Sequence, residues 1–586
     1  MRNTSKKSTL PHNIKWGQLN WLQIKRYVER MQQRIYRAES LGNKRKVRNL
    51  QRILIRSKSV LLLAIKRVTQ ANKGKKTAGI DGETALTGTE RIELYKVMVD
   101  KNIWNHRPRP SRRTYIKKKN GKPRPLSIPT IKDRIYQSII KSALEPQWEA
   151  RFESCTYGFR PKRGCHDALK RIFLSCCRGK KRWIFEGDFK GCFDSLNHEY
   201  IMEQIKGFPY KNTVERWLKA GFVDNGVFSE TEFGSGQGSI VSPLLANIAL
   251  CGMEEALGIK YKPINRKGKV IGYENISRYT LVYYADDFVT ICNNEKDANE
   301  IYDRLQPYLK SRGLTLSEEK TKVTNVNKGF DFLGFNVRIY KTSQKDKLLI
   351  KPSKDSVKKA KGTISQEVKN LYGSNVSALV GRLNPIITGA ANYWSPWVSK
   401  LTYGRIDQHI FGIITHFLRN LHPKKSMKWM RQKYFKPDKA GQSKDRWILT
   451  EPNEGRQLTK MAWTPIIRHP LIKFKASPYD TDLKEYFEER DRKEFNRNCV
   501  KSRQKLAKRQ NYKCPICEMS ITNFYEKLTV IEKSPDNRKY ENLELVHKIC
   551  QKYRDKMIPS GNVLSPKEVK ECYKEIKRMR LAEVAV

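Results

Sequence analysis

Residues 279–292, YTLVYYADDFVTIC, set two adjacent carboxylates, Asp286 and Asp287, between two runs of β-branched and aromatic residues. Such runs favour strands, and two of them separated by two residues read as a hairpin with Asp286–Asp287 as its turn. Taken alone the pattern also fits an ordinary solvated turn, where aspartate is common. Two other segments alter that balance. In RWIFEGDFKGCFDSLNHEYI (182–201) an apolar run ends at Asp188, a helical pattern follows, and Asp194 reads as the cap of that helix. In GSGQGSIVSPLLANIAL (234–250) three glycines allow a close backbone approach to a ligand, and Ser242–Pro243 reads as cap and first turn of the apolar helix behind them. A third carboxylate held near the first two would be repelled unless divalent cations lie between them. Mg²⁺ takes oxygen ligands, and two such ions about 3.5–4 Å apart suit in-line displacement at phosphorus.

The charge balance agrees with that chemistry. In 586 residues, 117 Lys and Arg face 59 Asp and Glu, a formal charge of +58. Self-repulsion on this scale implies a polyanionic partner, nucleic acid first and an anionic membrane second. No apolar run approaches the roughly 18 residues of a membrane span; the nearest candidate is VLLLAI at 60–65. The first residues, MRNTSKKSTLP, lack the apolar stretch of a secretory signal, so an intracellular location is expected, with no membrane partner. The length predicts three to five domains. Most of the twelve cysteines lie singly in hydrophobic segments, as small core residues do. Only Cys514, Cys517, His547 and Cys550 have metal-ligand spacing, a set suited to structural Zn²⁺.

Along the chain, residues 18–70 read as basic helices and 73–85 as a glycine-rich break; an α+β block follows from about 110 to 340, then helices over 353–420. Residues 341–440 carry 20 Lys and Arg against 5 Asp and Glu, with Tyr393, Trp394, Trp397, Trp429 and Tyr434 among them; 436–446 reads as a linker.

The ordered set KPRPLSIPTIKDRIYQ (122–137), GFRPKRGCHDAL (158–169), DFKGCFD at Asp188, GQGSIVSPLLANI and YADD resembles the reverse transcriptase of mobile group II introns. EEKTKV (318–323) and FDFLGF (330–335) resemble its last palm blocks, and LNPIITGAANYW (383–394) and HPKKSMKWMRQKYF (422–435) its maturase, or thumb, domain. The resemblance implies a multidomain α+β right-hand polymerase. Its parts would be a basic N-terminal extension (1–85), fingers with part of the palm (86–180), palm (181–345), thumb or maturase domain (346–440), DNA-binding region (441–505) and a small HNH-like zinc module (506–586).

It further implies that Asp188, Asp286, Asp287 and the Phe189 carbonyl hold two Mg²⁺ ions. Phe193 would be the gate against a 2′-hydroxyl, Gln237 a nucleotide contact, Arg124 and Lys118 (or its neighbour Lys117, Lys119 or Lys122) the triphosphate-binding finger residues, and Lys320 a proton donor to pyrophosphate. The implied partners are group II intron RNA, target DNA, an RNA template with its DNA primer, and deoxynucleoside triphosphates. The implied work is splicing assistance and target-primed reverse transcription in retrohoming. The alternative is a non-catalytic splicing factor on a polymerase scaffold; a reverse transcriptase recruited to host defence would not need the maturase-like region.

In the family the C-terminal position often holds an HNH endonuclease. Asn542 matches, but Val530 and Ile531 stand near the expected histidine pair, Gln551 follows Cys550, and after His469 the sequence contains only His547. A zinc-stabilised, nuclease-inactive remnant is therefore expected, with Glu526 or Glu532 as a substitute base the lesser alternative.

Overall fold

The computed structural model describes residues 15–583 apart from 118–120, 122, 178–180, 267, 342–345, 440–442, 454, 523–526, 534–538 and 559–564. The basic N-terminal stretch forms three helices, Trp21–Ser40, Lys44–Ile55 and Lys58–Lys66, entered through Asn20, Asn43 and Ser57, whose side chains accept amides of the first turn. Val28, Met31, Ile35 and Ala38 bury one stripe of the first helix, while the third is apolar nearly all round. These helices pack on Ile131–Glu149, itself buried over most of its length.

Ten strands position the rest: β1 (Ser111–Lys117), β2 (Pro123–Ile128), β3 (Trp183–Asp188), β4 (Phe222–Asp224), β5 (Val227–Ser229), β6 (Tyr261–Arg266), β7 (Lys269–Asn275), β8 (Thr280–Tyr284), β9 (Asp287–Cys292) and β10 (Lys322–Asn325). One sheet runs β2-β1-β4-β5 and a second runs β10-β3-β9-β8, every pair of the second antiparallel. The second sheet is covered on both faces. Phe185, Leu281, Tyr283 and Phe288 enter the core shared with the N-terminal helices; Ile184, Val282, Val289 and Ile291 enter a second core shared with the downstream helices. Double burial explains why β8 and β9 read as unbroken apolar runs and not as an alternation.

Two helix starts differ from expectation. Asp194 lies inside the short helix Cys192–Ser195, entered through Gly191 at φ 62°, and the following helix His198–Gln204 is capped by Asn197, which accepts the Tyr200 amide at 3.0 Å. The helix Ser242–Ala249 starts at Ser242 itself, with Pro243 in its first turn as expected, and Val241 at the capping position offers no side-chain acceptor.

Beyond a three-stranded sheet come the helices Lys354–Lys369, Val376–Trp394 and Lys400–Leu421. Trp394, Trp397 and Tyr434 are buried there, Trp429 is half-buried and Tyr393 is exposed. The expected linker at 436–446 is tied at its ends: Phe435–Lys436 pairs antiparallel with Ile448–Leu449. The C-terminal part pairs Leu528–Glu532 with Leu543–His547, adds the helix Lys548–Met557, and returns through Pro566–Glu583 onto the first N-terminal helix. Among the described residues no helix is long and apolar enough to cross a membrane.

Candidate active site and metal-binding residues

The hairpin between β8 and β9 turns one residue earlier than the sequence suggests. Tyr284 pairs with Asp287, so Ala285 and Asp286 form the turn and Asp287 opens β9. Ala285 holds φ at 60°, a left-handed conformation costly for a residue with a Cβ. Packing from behind enforces it. The Tyr157 amide donates to the Tyr283 carbonyl at 3.0 Å, the Tyr283 amide to the Cys155 carbonyl at 3.1 Å, and Asn247 Nδ2 to the Gly158 carbonyl at 2.9 Å. This seats Gly158 so tightly that a Cβ there would lie 2.3 Å from the Ala285 nitrogen.

The shifted turn has a chemical consequence. Asp287 now lies directly opposite Asp188, the last residue of β3, with Asp286 beside them at the turn. Partial desolvation first, then the charges of Asp286 and Asp188, push the Asp287 carboxyl up to about 7, although the residue keeps solvent access. Lys320 Nζ donates to Asp188 Oδ2 at 2.7 Å, and that hydrogen bond raises the ammonium above its ordinary value. An antiparallel bridge between Phe189 and Leu316 delivers this lysine. Its hydrogen bonds use the Asp188 carbonyl and the Lys190 amide, so the Phe189 carbonyl takes no part in the bridge. Three carboxylates against one ammonium leave an excess of negative oxygen donors, the donor set a hard divalent cation requires.

The glycine loop ties this site to the first sheet. Gly234 (φ 86°) and Gly238 (φ 113°) take conformations that disfavour any other residue. The Ser235 amide donates to the Phe193 carbonyl and the Ser127 amide to the Gln237 carbonyl, both at 2.6 Å. Arg124 Nε donates to Gln237 Oε1 at 2.7 Å, so two residues singled out separately in the sequence meet. Phe193 is buried, edge-on to Phe159 at 6.1 Å, and lines a cavity of about 390 Å³ that also meets Ser127 and the loop backbone. Lys118 lies outside the described residues; Lys117, next to it, is exposed at the end of β1.

The donor atoms of Cys514, Cys517, His547 and Cys550 lie within 4.8 Å of one another, and all four residues are buried. His547 Nδ1 is 3.4 Å from Cys517 Sγ and 3.8 Å from Cys550 Sγ. A tetrahedral ion with Zn–S near 2.3 Å and Zn–N near 2.0 Å sets sulfur and nitrogen roughly 3.5 Å apart, close to both His547–cysteine spacings, so these four residues could hold zinc. Val530 and Ile531 lie on the strand 528–532, Ile531 buried in the module's core, and Asn542 is buried in the turn before the paired strand. Glu532 ends the first strand of the module; Glu526 lies outside the described residues.

Sequence reasoning passed over Gly158 and Asp167. Asp167 Oδ1 accepts from His469 Nε2 at 3.0 Å, the Ile472 amide at 2.9 Å and Arg490 Nη2 at 3.2 Å, pinning residues 469–490 to the helix Cys165–Cys176. Partners some 300 positions apart leave no short-range pattern to read.

Comparison with known proteins adds three family matches in chain order. These are the N-terminal domain of reverse transcriptase over 16–98, reverse transcriptase (RNA-dependent DNA polymerase) over 116–337, and the group II intron maturase-specific domain over 357–435. YkfC of Escherichia coli (strain K12) is 33% identical over 345 residues, covering 54% of this chain and 87% of YkfC. The group II intron-encoded protein LtrA of Lactococcus lactis subsp. cremoris is 32% identical over 322 residues, 46% of this chain and 53% of LtrA, so that match spans about half of the relative. A telomerase structure from Candida albicans aligns over 54% of this chain and 59% of its own at 14% identity and a TM-score of 0.31.

Proposed function

The chain belongs to the group II intron reverse transcriptase and maturase family, and from that premise we propose that it copies its intron RNA into cDNA during retrohoming and binds the same RNA to assist splicing. The observation that carries the reading is the register that sets Asp188 opposite Asp287 with Asp286 at a clamped turn. Asp188, Asp286, Asp287 and the Phe189 carbonyl would hold Mg²⁺, which when bound activates a primer 3′-hydroxyl and stabilises the leaving pyrophosphate. Lys320, already at Asp188, supplies a proton to that leaving group. Arg124 and a neighbouring lysine, Lys118 in this reading, hold the triphosphate by charge-assisted hydrogen bonds. Gln237, oriented by Arg124, contacts the incoming nucleotide, and the buried Phe193 ring excludes a 2′-hydroxyl.

Residues 86–180 serve as fingers, 181–345 as palm and 346–440 as thumb, the last gripping intron RNA through its basic surface. Residues 441–505 contact target DNA, and 506–586 form a zinc-stabilised module that has lost nuclease activity, since its one imidazole lies in the metal cluster. Without a nick of its own making, the protein primes on a nascent strand at a replication fork. Reconstitution with precursor intron RNA and a target duplex tests this. Splicing at low Mg²⁺ should be faster with the protein than without it, and the duplex should stay unnicked. Equal splicing rates would remove the maturase role, and robust bottom-strand nicking would remove the fork-priming route.

A further inference from the structure

The helix Lys484–Asn498 carries Arg490, Lys493, Glu494 and Arg497 at positions i, i+3, i+4 and i+7, which share one face. That face meets residues 467–470, and between them lies a cavity of about 380 Å³ lined by Arg468, His469, Arg490, Lys493, Glu494 and Arg497. Pockets of roughly 300–1,000 Å³ are the size that holds ligands.

Hydrogen bonds tie the cavity's lining together. Arg490 is fixed by Asp167 at 3.2 Å and by the Pro470 carbonyl at 3.0 Å. Arg497 Nη1 donates to His469 Nδ1 at 3.2 Å, which leaves the His469 proton on Nε2, where it meets Asp167. The pocket's fixed positive charges are four side chains: Arg468, Arg490, Lys493 and Arg497. Asp167 and Glu494 face them, and Glu489 pairs with Lys493 on the outer side at 2.7 Å, so positive charge remains in excess with all three carboxylates counted. Arg497 carries the clearest signal. Its side chain is only 9% exposed, its approach to Glu494 is a loose 3.8 Å, and its Nε is a buried donor with no partner among the described residues. A buried donor left unsatisfied is destabilising, and an anion held in the cavity could supply the missing acceptor.

We propose that this pocket binds a backbone phosphate of a nucleic acid strand and thereby fastens that strand to the helix Cys165–Cys176 through Asp167. A polymer, in preference to a free anion, is indicated by the segment that follows the pocket helix: residues 498–510 carry five Lys and Arg and no Asp or Glu, basic surface onto which a strand can continue. The inference rests on the nucleic-acid-binding reading above and names one of its contacts.

The test uses the full chain with a labelled duplex DNA and a labelled single-stranded RNA, each titrated over a series of salt concentrations. Arg468→Gln/Lys493→Gln removes two of the pocket's charges, the Arg468 head also giving up a hydrogen bond to the Pro396 carbonyl at 3.2 Å; Lys206→Gln/Lys211→Gln removes the same charge from another exposed surface as a control. The pocket variant should lower the slope of log affinity against log salt by about 1 for at least one probe, relative to both wild type and control. Arg497→Gln should do the same. A change with DNA alone assigns the phosphate to the target; a change with RNA alone assigns it to the intron. Slopes equal to the control for both probes would overturn the proposal. So would a wild-type melting midpoint raised by inorganic phosphate over chloride at matched ionic strength, if both probes were unaffected, because the pocket would then hold a free anion. Primer extension by the wild type, run in parallel, separates the two failures: cDNA with no pocket effect rejects only the pocket, and no cDNA rejects the polymerase reading itself.

Discussion

Gly158→Ala isolates the clamp behind the carboxylate turn. Gly158 touches no substrate in the proposed function, and its φ lies outside the left-handed range, so alanine brings no backbone penalty. What it brings is one methyl group 2.3 Å from the Ala285 nitrogen and 3.0 Å from the Tyr284 carbonyl carbon. Ordinary contact begins near 3.4 Å, so the turn must retreat by about 1.1 Å. Both neighbours are backbone and no flexible side chain can give way, so the displacement passes to Asp286. A misplacement of about 1 Å in a reacting constellation can cost about 10²-fold in rate, while overpacking a single site costs about 1–3 kcal/mol of stability and leaves the fold intact. Single-turnover incorporation of one deoxynucleotide on an RNA template should therefore fall about 10²-fold, with template–primer affinity unchanged. Gly207→Ala, where an added Cβ meets nothing within 4 Å, should behave as wild type. A Gly158→Ala rate within twofold of wild type would refute the reasoning, because the turn would not then be held by this contact.

Arg160→Met should cost about 3–5 kcal/mol in urea unfolding, since Arg160 and Glu149 are 1% and 0% exposed and joined at 2.8 and 3.0 Å; a loss below about 1 kcal/mol would contradict a buried pair. Burial first, then the Glu254 charge, push the Glu153 carboxyl from 4.5 up to about 7. The folded state thus keeps a proton that the unfolded state has released, and stability falls as pH rises through that window and levels off above it. At about 1.4 kcal/mol per pH unit the ceiling is about 3 kcal/mol, so Glu153→Gln should stabilise more at pH 8 than at pH 5, and equal gains at the two values would argue against the shift. Purified protein should carry one equivalent of zinc. Chelation, or Cys514→Ser, should open residues 506–560 to protease without abolishing primer extension, and protection that persists after chelation would exclude a structural metal.

The carboxylates were legible because strand-forming runs and a strand end mark them locally, and the Cys/His set because its spacing is local too. The turn was misplaced by one residue because nothing in YADD announces that Ala285 will take a positive φ; that conformation is imposed by Gly158, more than a hundred positions earlier. Asp194 lost its capping role to Asn197 because Gly191 opens a short helix that swallows it. The expected linker at 436–446 is polar enough to read as a free connection, yet two short strands at its ends, Phe435–Lys436 and Ile448–Leu449, pair with each other. The same limit hid Asp167, His469 and Arg497, whose partners come from elements that only the packed core brings together.

The most direct test of the central claim compares wild type with Asp286→Ala in two assays run side by side: primer extension on an RNA template with Mg²⁺ and deoxynucleotides, and splicing of intron RNA at low Mg²⁺. In the proposed function, removing one turn carboxylate takes a metal ligand from the palm and leaves the basic surface of the thumb untouched. The account predicts cDNA from the wild type alone and splicing by both proteins. Splicing by both with cDNA from neither would contradict it and leave an RNA-binding splicing factor on a polymerase scaffold.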